Sequence, residues 1–219
     1  MKTVILAAVA VLTSTAASAG VLYSQPWDGG ANILGSQNDT NSGGLGNFTT
    51  VYDNFTLAGG GQITSVDWTG GYFNPPSQGP ITQWTVSIYG DSAGQPGALL
   101  YQETVPGAGG ETFNSTVSGF PIYNYDVAAN FTAAAGTQYW LSVVPDLGFP
   151  PQWGWATGTG GDGVGYQDFF GTLSNTGTDF SFTLVGGTVP EPATWALMLA
   201  GFAGFGVALR SRRARSAAA

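Results

Sequence analysis

The chain contains no cysteine and no histidine, and only five lysine and arginine residues. All five basic residues lie at the two ends, at Lys2 and after residue 209, so residues 20–189 contain none. This central segment therefore cannot form a disulfide, a Ser-His-Asp triad, a cysteine nucleophile or a lysine Schiff base. The same absences exclude the usual zinc site and a basic phosphate clamp. Of the common catalytic groups only carboxylates are left. Because the other catalytic side chains are missing, we expect no enzyme activity.

The central segment is strongly acidic, because twelve of the thirteen acidic residues lie within it. No salt bridge to a basic side chain can form there, so its stability depends on apolar burial and on hydrogen bonds. A surface with this charge repels nucleic acid, and we predict no nucleic-acid partner.

The first nineteen residues have the pattern of a secretory signal peptide. Lys2 supplies the positive charge, Val4 to Leu12 is a short apolar run, and Ala17-Ser18-Ala19 is a small-residue cleavage site. We predict that the secretion translocon exports the chain and that signal peptidase removes residues 1–19. The predicted ectodomain is then residues 20–188.

The other end combines a rigid motif, an apolar run and a basic cluster. Val189, Pro190, Glu191 and Pro192 precede an apolar run over residues 193–209. Seventeen residues in a helix span roughly 26 Å, close to the thickness of a bilayer core, so this run predicts a transmembrane helix. The tail over residues 210–219 carries four arginines, which hold it in the cytoplasm by the positive-inside rule: Arg210, Arg212, Arg213 and Arg215.

This order of features resembles the PEP-CTERM sorting domain of Gram-negative bacteria. The resemblance rests on the Pro-Glu-Pro at residues 190–192, on the apolar run and on the arginine cluster. It implies that an exosortase, a membrane-embedded enzyme, processes the tag near Pro-Glu-Pro. It also implies a host that makes exopolysaccharide or biofilm matrix. The alternative is an ordinary single-pass anchor after a proline-containing stalk.

The ectodomain sequence is typical of an all-β protein. Apolar and polar residues alternate in short segments such as Val51–Leu57 and Trp84–Tyr89, and glycine-rich turns separate the segments. We predict eight to ten strands in a two-sheet antiparallel sandwich with jelly-roll-like connections. The turn over residues 90–97 predicts a hairpin, Gly70-Gly71 predicts a break, and the only helix candidate is Val127 to Ala135. The long loop from Gly35 to Gly46 is expected to be mobile or functional.

The layout of the ectodomain also resembles that of many bacterial surface β-sandwich modules. Segments that carry this likeness are Tyr52 to Thr56, Ile63 to Trp68, Ser87 to Asp91 and Gly136 to Ser142. The resemblance supports the fold and implies no catalytic motif.

Two glutamates are the candidates for a glycoside hydrolase pair. Glu103 and Glu111 lie eight residues apart around a glycine-rich turn, so they can face each other across a hairpin. The alternative is that both are solvated carboxylates on exposed strand positions.

Three aspartates are weak candidates for a structural calcium site. Asp39 lies in the long loop with Asn38 and Asn41, and Asp162 and Asp168 lie near a glycine run. Oxygen ligands suit calcium, but their spacing does not match an EF-hand. The alternative is that these side chains stabilise their own turns.

The most suggestive aromatic cluster is a possible sugar platform at Trp153, Trp155 and Tyr166, with Asp162 beside it. Indole faces stack on sugar rings, and carboxylates accept hydrogen bonds from hydroxyls. The alternative is that both tryptophans fill the core.

Together these features predict an exported protein, anchored transiently in the inner membrane and then delivered to the cell surface or extracellular matrix. We expect a non-catalytic partner of extracellular polysaccharide, without a cofactor other than a possible calcium ion. A sugar-binding module and a carboxylate-based glycoside hydrolase are the alternatives.

Overall fold

The computed structural model describes residues 19–187, which form fourteen β-strands in two seven-stranded sheets. Residues 1–18 of the predicted signal peptide (1–19), the sorting motif, the apolar run and the arginine tail lie outside the described residues. The strands are β1 Gly20–Gln25, β2 Ile33–Gly35, β3 Gln37–Asp39, β4 Gly46–Thr56, β5 Gly61–Phe73, β6 Gln83–Asp91, β7 Pro96–Pro106, β8 Thr112–Val117, β9 Phe120–Ala133, β10 Gln138–Leu147, β11 Gln152–Ala156, β12 Gly165–Phe169, β13 Thr172–Asn175 and β14 Phe182–Gly187.

Residues 19–187 include no helix long and apolar enough to cross a membrane. The all-β prediction is confirmed for this part of the chain.

The first sheet is organised around the long strand β5. One edge of β5 pairs with β9, which pairs in turn with β8. The other edge pairs with β14 over its first half and with β11 over its second half. Strands β1 and β2 complete this sheet beside β14 and β11.

The second sheet is organised around β4 and β10. Strand β10 pairs along its length with β6, which pairs with the edge strand β7, and the predicted hairpin between β6 and β7 is present. Strand β4 pairs with β10 at one end. The other edge of β4 pairs with β12, which pairs in turn with β13. Short β3 pairs with both β4 and β10, and its pairing with β10 is parallel.

The core lies between the sheets and is rich in aromatic rings. Trp84 of the second sheet meets three rings of the first, with centroids 4.7 Å from Trp68 and 4.9 Å from both Tyr125 and Trp153. All four side chains are almost fully buried. Rings of this size bury large apolar areas, so the core needs no disulfide or salt bridge to be stable.

Three local predictions are wrong. Strand β5 continues through Gly70 and Gly71, because β11 pairs with both glycines; the small size of Gly70 leaves room for β11 and that of Gly71 leaves room for β9. The helix candidate at Val127 to Ala135 lies mostly in β9, where Tyr125 and Val127 point into the core and Asp126 points outward. The long loop after Gly35 contains β3.

Candidate functional site

Trp153 and Trp155 belong to the core and not to a sugar platform. Both are 0 % exposed, and β11 directs both rings inward. Trp153 Nε1 donates to the Tyr125 hydroxyl at 3.0 Å, and Trp155 Nε1 donates to the Ser181 carbonyl at 2.7 Å. Because neither ring offers a face to solvent, the expected stacking surface is absent at these two positions. The alternative, that they fill the core, is what the structure shows.

Tyr166 and Asp162 lie near the surface but do not form a site with these tryptophans. The Tyr166 ring stands edge-on to Trp140, with centroids 5.4 Å apart. Asp162 is exposed and accepts hydrogen bonds from the Asn54 side chain at 3.1 Å and from the Val164 N–H at 3.0 Å.

Glu103 and Glu111 do not face each other across a hairpin. Glu103 lies on β7, which pairs with β6 in the second sheet, whereas Glu111 precedes β8, which pairs with β9 in the first. Glu111 accepts hydrogen bonds from two core tyrosines, Tyr72 at 2.6 Å and Tyr125 at 2.9 Å. Through these contacts Glu111 fixes the connection between β7 and β8 to the core.

The three calcium candidates are each engaged by their own loop. Asp39 is buried and accepts backbone N–H groups from Asn41, Leu45 and Phe149 at 2.7–3.0 Å. Burial opposes ionisation of Asp39, but the three N–H donors together outweigh it and lower its pKa. Asp168 caps a turn by accepting the Gly171 N–H at 2.7 Å. Within residues 19–187 no three acidic side chains converge as metal ligands.

A recess of about 400 Å³ lies on the outer face of the first sheet. Asp67 of β5 and Asp126 of β9 lie directly opposite each other in the strand register, and both point away from the core. Thr69 and Asn124 form the next outward-facing pair, joined by a hydrogen bond of 3.2 Å. Trp27 lines one side of this recess.

The recess has the chemistry of a sugar-binding site. The Trp27 ring is half-buried and is fixed by a hydrogen bond from its Nε1 to the Gly30 carbonyl at 3.1 Å. Partial burial raises the pKa of Asp67, the Ser65 hydroxyl opposes this shift, and the charge of Asp126 adds to it. The carboxylates accept hydrogen bonds from hydroxyls, the Asn124 amide can donate or accept, and the indole offers an apolar face.

Sequence reasoning missed this recess although part of the signal was present. Asp67 stands between Val66 and Trp68, and Asp126 between Tyr125 and Val127, so alternation directs both carboxylates outward. Their pairing depends on the β5–β9 register. The sequence alone does not reveal the register of two strands that lie about sixty residues apart.

A second polar cluster lies between the sheets around Asp53, which is 0 % exposed. Asp53 accepts hydrogen bonds from the Phe180 N–H, the Asn54 N–H and the Gln25 side chain. Burial raises the pKa of Asp53 to about 8; the two N–H donors oppose this shift, and nearby Asp179 and Asp162 add to it. This carboxyl therefore joins β4 to β1 and to the segment before β14.

The described fold is a β-sandwich whose last strand, β14, ends at Gly187. The next residues, 188–213, match the PEP-CTERM protein-sorting motif. The chain is therefore a sorting-tagged protein, and this tag indicates an exported protein that an exosortase processes and that is sorted through the membrane toward the cell surface. No curated protein and no solved structure matches the chain.

Proposed function

We propose that this protein is a non-catalytic component of the cell surface or extracellular matrix that binds extracellular polysaccharide, including biofilm matrix, through the recess of the first sheet. The single observation that carries the proposal is the outward pair of Asp67 and Asp126 beside the Trp27 ring. In this arrangement carboxylate oxygens accept hydrogen bonds from sugar hydroxyls while the indole packs against the apolar face of a sugar ring.

The charge of the body favours a neutral polysaccharide over an anionic one. Residues 20–187 contain twelve carboxylates and no basic side chain. An anionic chain would be repelled at the recess, where Asp67 and Asp126 already stand side by side. A neutral chain avoids this cost and uses the same carboxylates as hydrogen-bond acceptors.

The route to the surface follows from the two ends. The translocon exports the chain, signal peptidase removes residues 1–19, and the apolar run 193–209 holds it in the inner membrane until the exosortase acts. The jelly-roll-like connectivity belongs to this proposal as well, and it is supported by a chain that passes repeatedly between the two sheets.

The test is affinity electrophoresis of the purified body through gels that contain individual neutral and anionic polysaccharides. We expect retention by at least one neutral polysaccharide, reduced about tenfold or more by Trp27→Ala, since an aromatic anchor contributes 1–3 kcal/mol or more to such sites. The control is Phe170→Ala, which removes an aromatic ring that is 59 % exposed and lies outside the recess.

Equal retention of the two variants would contradict this site, and no retention by any polysaccharide would contradict sugar binding. The same samples are assayed for new reducing ends, because directly opposed carboxylates on neighbouring strands have a separation close to that of a retaining glycosidase pair. Release of reducing ends would replace the non-catalytic proposal with the hydrolase alternative.

A further inference from the structure

The Gln25 side chain at the end of β1 has one amide atom without a partner. It is 1 % exposed, and its Nε2 donates to Asp53 Oδ2 at 3.2 Å and to the Asn54 carbonyl at 3.4 Å. Its Oε1 is buried and makes no hydrogen bond. A buried acceptor that has lost its water without gaining a donor destabilises the folded state. A ligand bound to this atom would remove that cost.

The orientation of the amide is set by its surroundings. The two groups that face Nε2, a carboxylate oxygen and a carbonyl oxygen, are both acceptors. Turning the amide by 180° would place Oε1 against the Asn54 carbonyl oxygen, which is an acceptor at every pH, and this would be repulsive. Oε1 therefore points the other way.

On that side Oε1 lies near a carboxylate. A methyl group added to Gly161 would overlap Gln25 Oε1 and lie 2.5 Å from Asp179 Oδ1, so both oxygens lie on the same side of the Gly161 backbone. Asp179 is 9 % exposed, and Oδ1 accepts the Gly163 N–H at 2.7 Å. The neighbouring loop also carries Asp162.

Three aspartates near this position act together on one tyrosine. The charges of Asp53, Asp179 and Asp162 add to burial in raising the pKa of Tyr23 to about 12. Residues 20–187 offer no basic side chain to offset them. An oxygen-lined, negatively charged space with an unpartnered amide oxygen is suited to a hard cation.

We propose that a calcium ion binds between the end of β1 and the loop over residues 157–164, with Gln25 Oε1 and Asp179 as ligands and Asp162 on its outer side. Because no three acidic side chains converge within residues 19–187, backbone carbonyls and water complete the shell. The absence of nitrogen and sulfur ligands here disfavours zinc. The ion ties β1 to the loop that precedes β12, and so joins the two sheets.

The test is the melting temperature of the purified body in chelator and after addition of about 10 mM Ca²⁺ or Mg²⁺ at constant ionic strength. A site with the affinity of extracellular calcium modules would raise the melting temperature by roughly 3–8 °C in Ca²⁺. Mg²⁺ should have a much smaller effect because it requires a tighter octahedral shell. Calorimetric titration should give one ion per chain.

The variant Asp179→Asn should lose the Ca²⁺ response, while its amide oxygen can still accept the Gly163 N–H. The matched control Asp168→Asn removes the same charge and can keep its turn hydrogen bond, so it should respond as the wild type does. No response of the wild type would overturn the proposal and leave the Gln25 oxygen to a water molecule or to the proton of Asp53. Equal responses in both variants would also overturn it, since general screening of the acidic surface would then explain the effect.

Discussion

At the scale of single residues, the body has to hold its carboxylates without basic side chains. Backbone N–H groups do this at Asp39, which accepts three of them. Tyrosine hydroxyls do it at Glu111. These local donors tie Asp39 and Glu111 into the loop and strand ends around them. The sequence pattern indicated this turn-stabilising role as one alternative for Asp39 and Asp168.

Asp53 provides a prediction of how stability depends on pH. Its pKa in the folded protein, about 8, lies above the ordinary value of 3.8, so between these values the folded state binds a proton that the unfolded state has lost. The resulting stability is fully present below pH 4 and is lost as pH rises through 8. We expect the free energy of unfolding, measured by urea titration in chelator, to fall by a few kcal/mol over this range.

The variant Asp53→Asn identifies the group responsible. It carries no titrating proton, so its free energy of unfolding should change much less between pH 4 and 8, although it is less stable than the wild type at low pH. A wild-type curve that stays flat or rises over this interval would contradict the raised pKa.

At the scale of strands and loops, alternation in the sequence predicted several long strands correctly. It did not predict very short strands, or which neighbour the apolar face of a strand packs against. Strands β4, β6 and β10 carry clear alternation or apolar runs. Strands β2 and β3 have only three residues each, too few to show a period. For Trp153 and Trp155 alternation correctly placed both rings on one face, but it could not say whether that face met the core or solvent.

Gly70 lies at a close contact between β5 and β11. A methyl group on Gly70 would overlap the Trp153 ring and lie 2.6 Å from the Gly154 carbonyl oxygen. The variant Gly70→Ala must therefore displace a core tryptophan or separate two paired strands. We expect it to lower the free energy of unfolding by about 1–3 kcal/mol, measured by urea titration.

The matched control for this strand contact is Gly59→Ala in the turn after β4, where an added methyl group meets nothing within 4 Å. Its free energy of unfolding should change by less than about 0.5 kcal/mol. Similar losses in both variants would show that the Trp153 contact does not explain the effect of Gly70→Ala.

At the scale of the whole molecule, both ends of the body lie at one pole of the sandwich. Gly20 pairs with Gly186, and Gly187 pairs with Gln62 near the start of β5. The sorting motif begins at the next residue, 188. The tag therefore follows strand β14 directly in the chain.

The tag could be predicted from the sequence because it depends on order and composition along a continuous segment. The recess could not, because it depends on the register of strands that are distant in the chain. Residues 190–192 are read directly, whereas Asp67 and Asp126 become neighbours only after β5 and β9 pair. A tag can be read along one continuous segment, whereas a binding face is assembled by folding.

The last prediction concerns the tag itself. Replacing Glu191 by Gln removes the charge between the two prolines and leaves the apolar run and arginines unchanged. We expect the full-length chain to accumulate in the inner membrane of the native host, because insertion depends on residues 193–215 while processing depends on the motif. Neutral replacement of Arg210, Arg212, Arg213 and Arg215 should act differently and weaken membrane retention. Immunoblots of membrane, cytosolic and extracellular fractions distinguish the two outcomes. Glu103→Gln, an exposed change on β7, is the control and should mature normally. Normal maturation of Glu191→Gln would show that the charge of this motif is not what the exosortase requires.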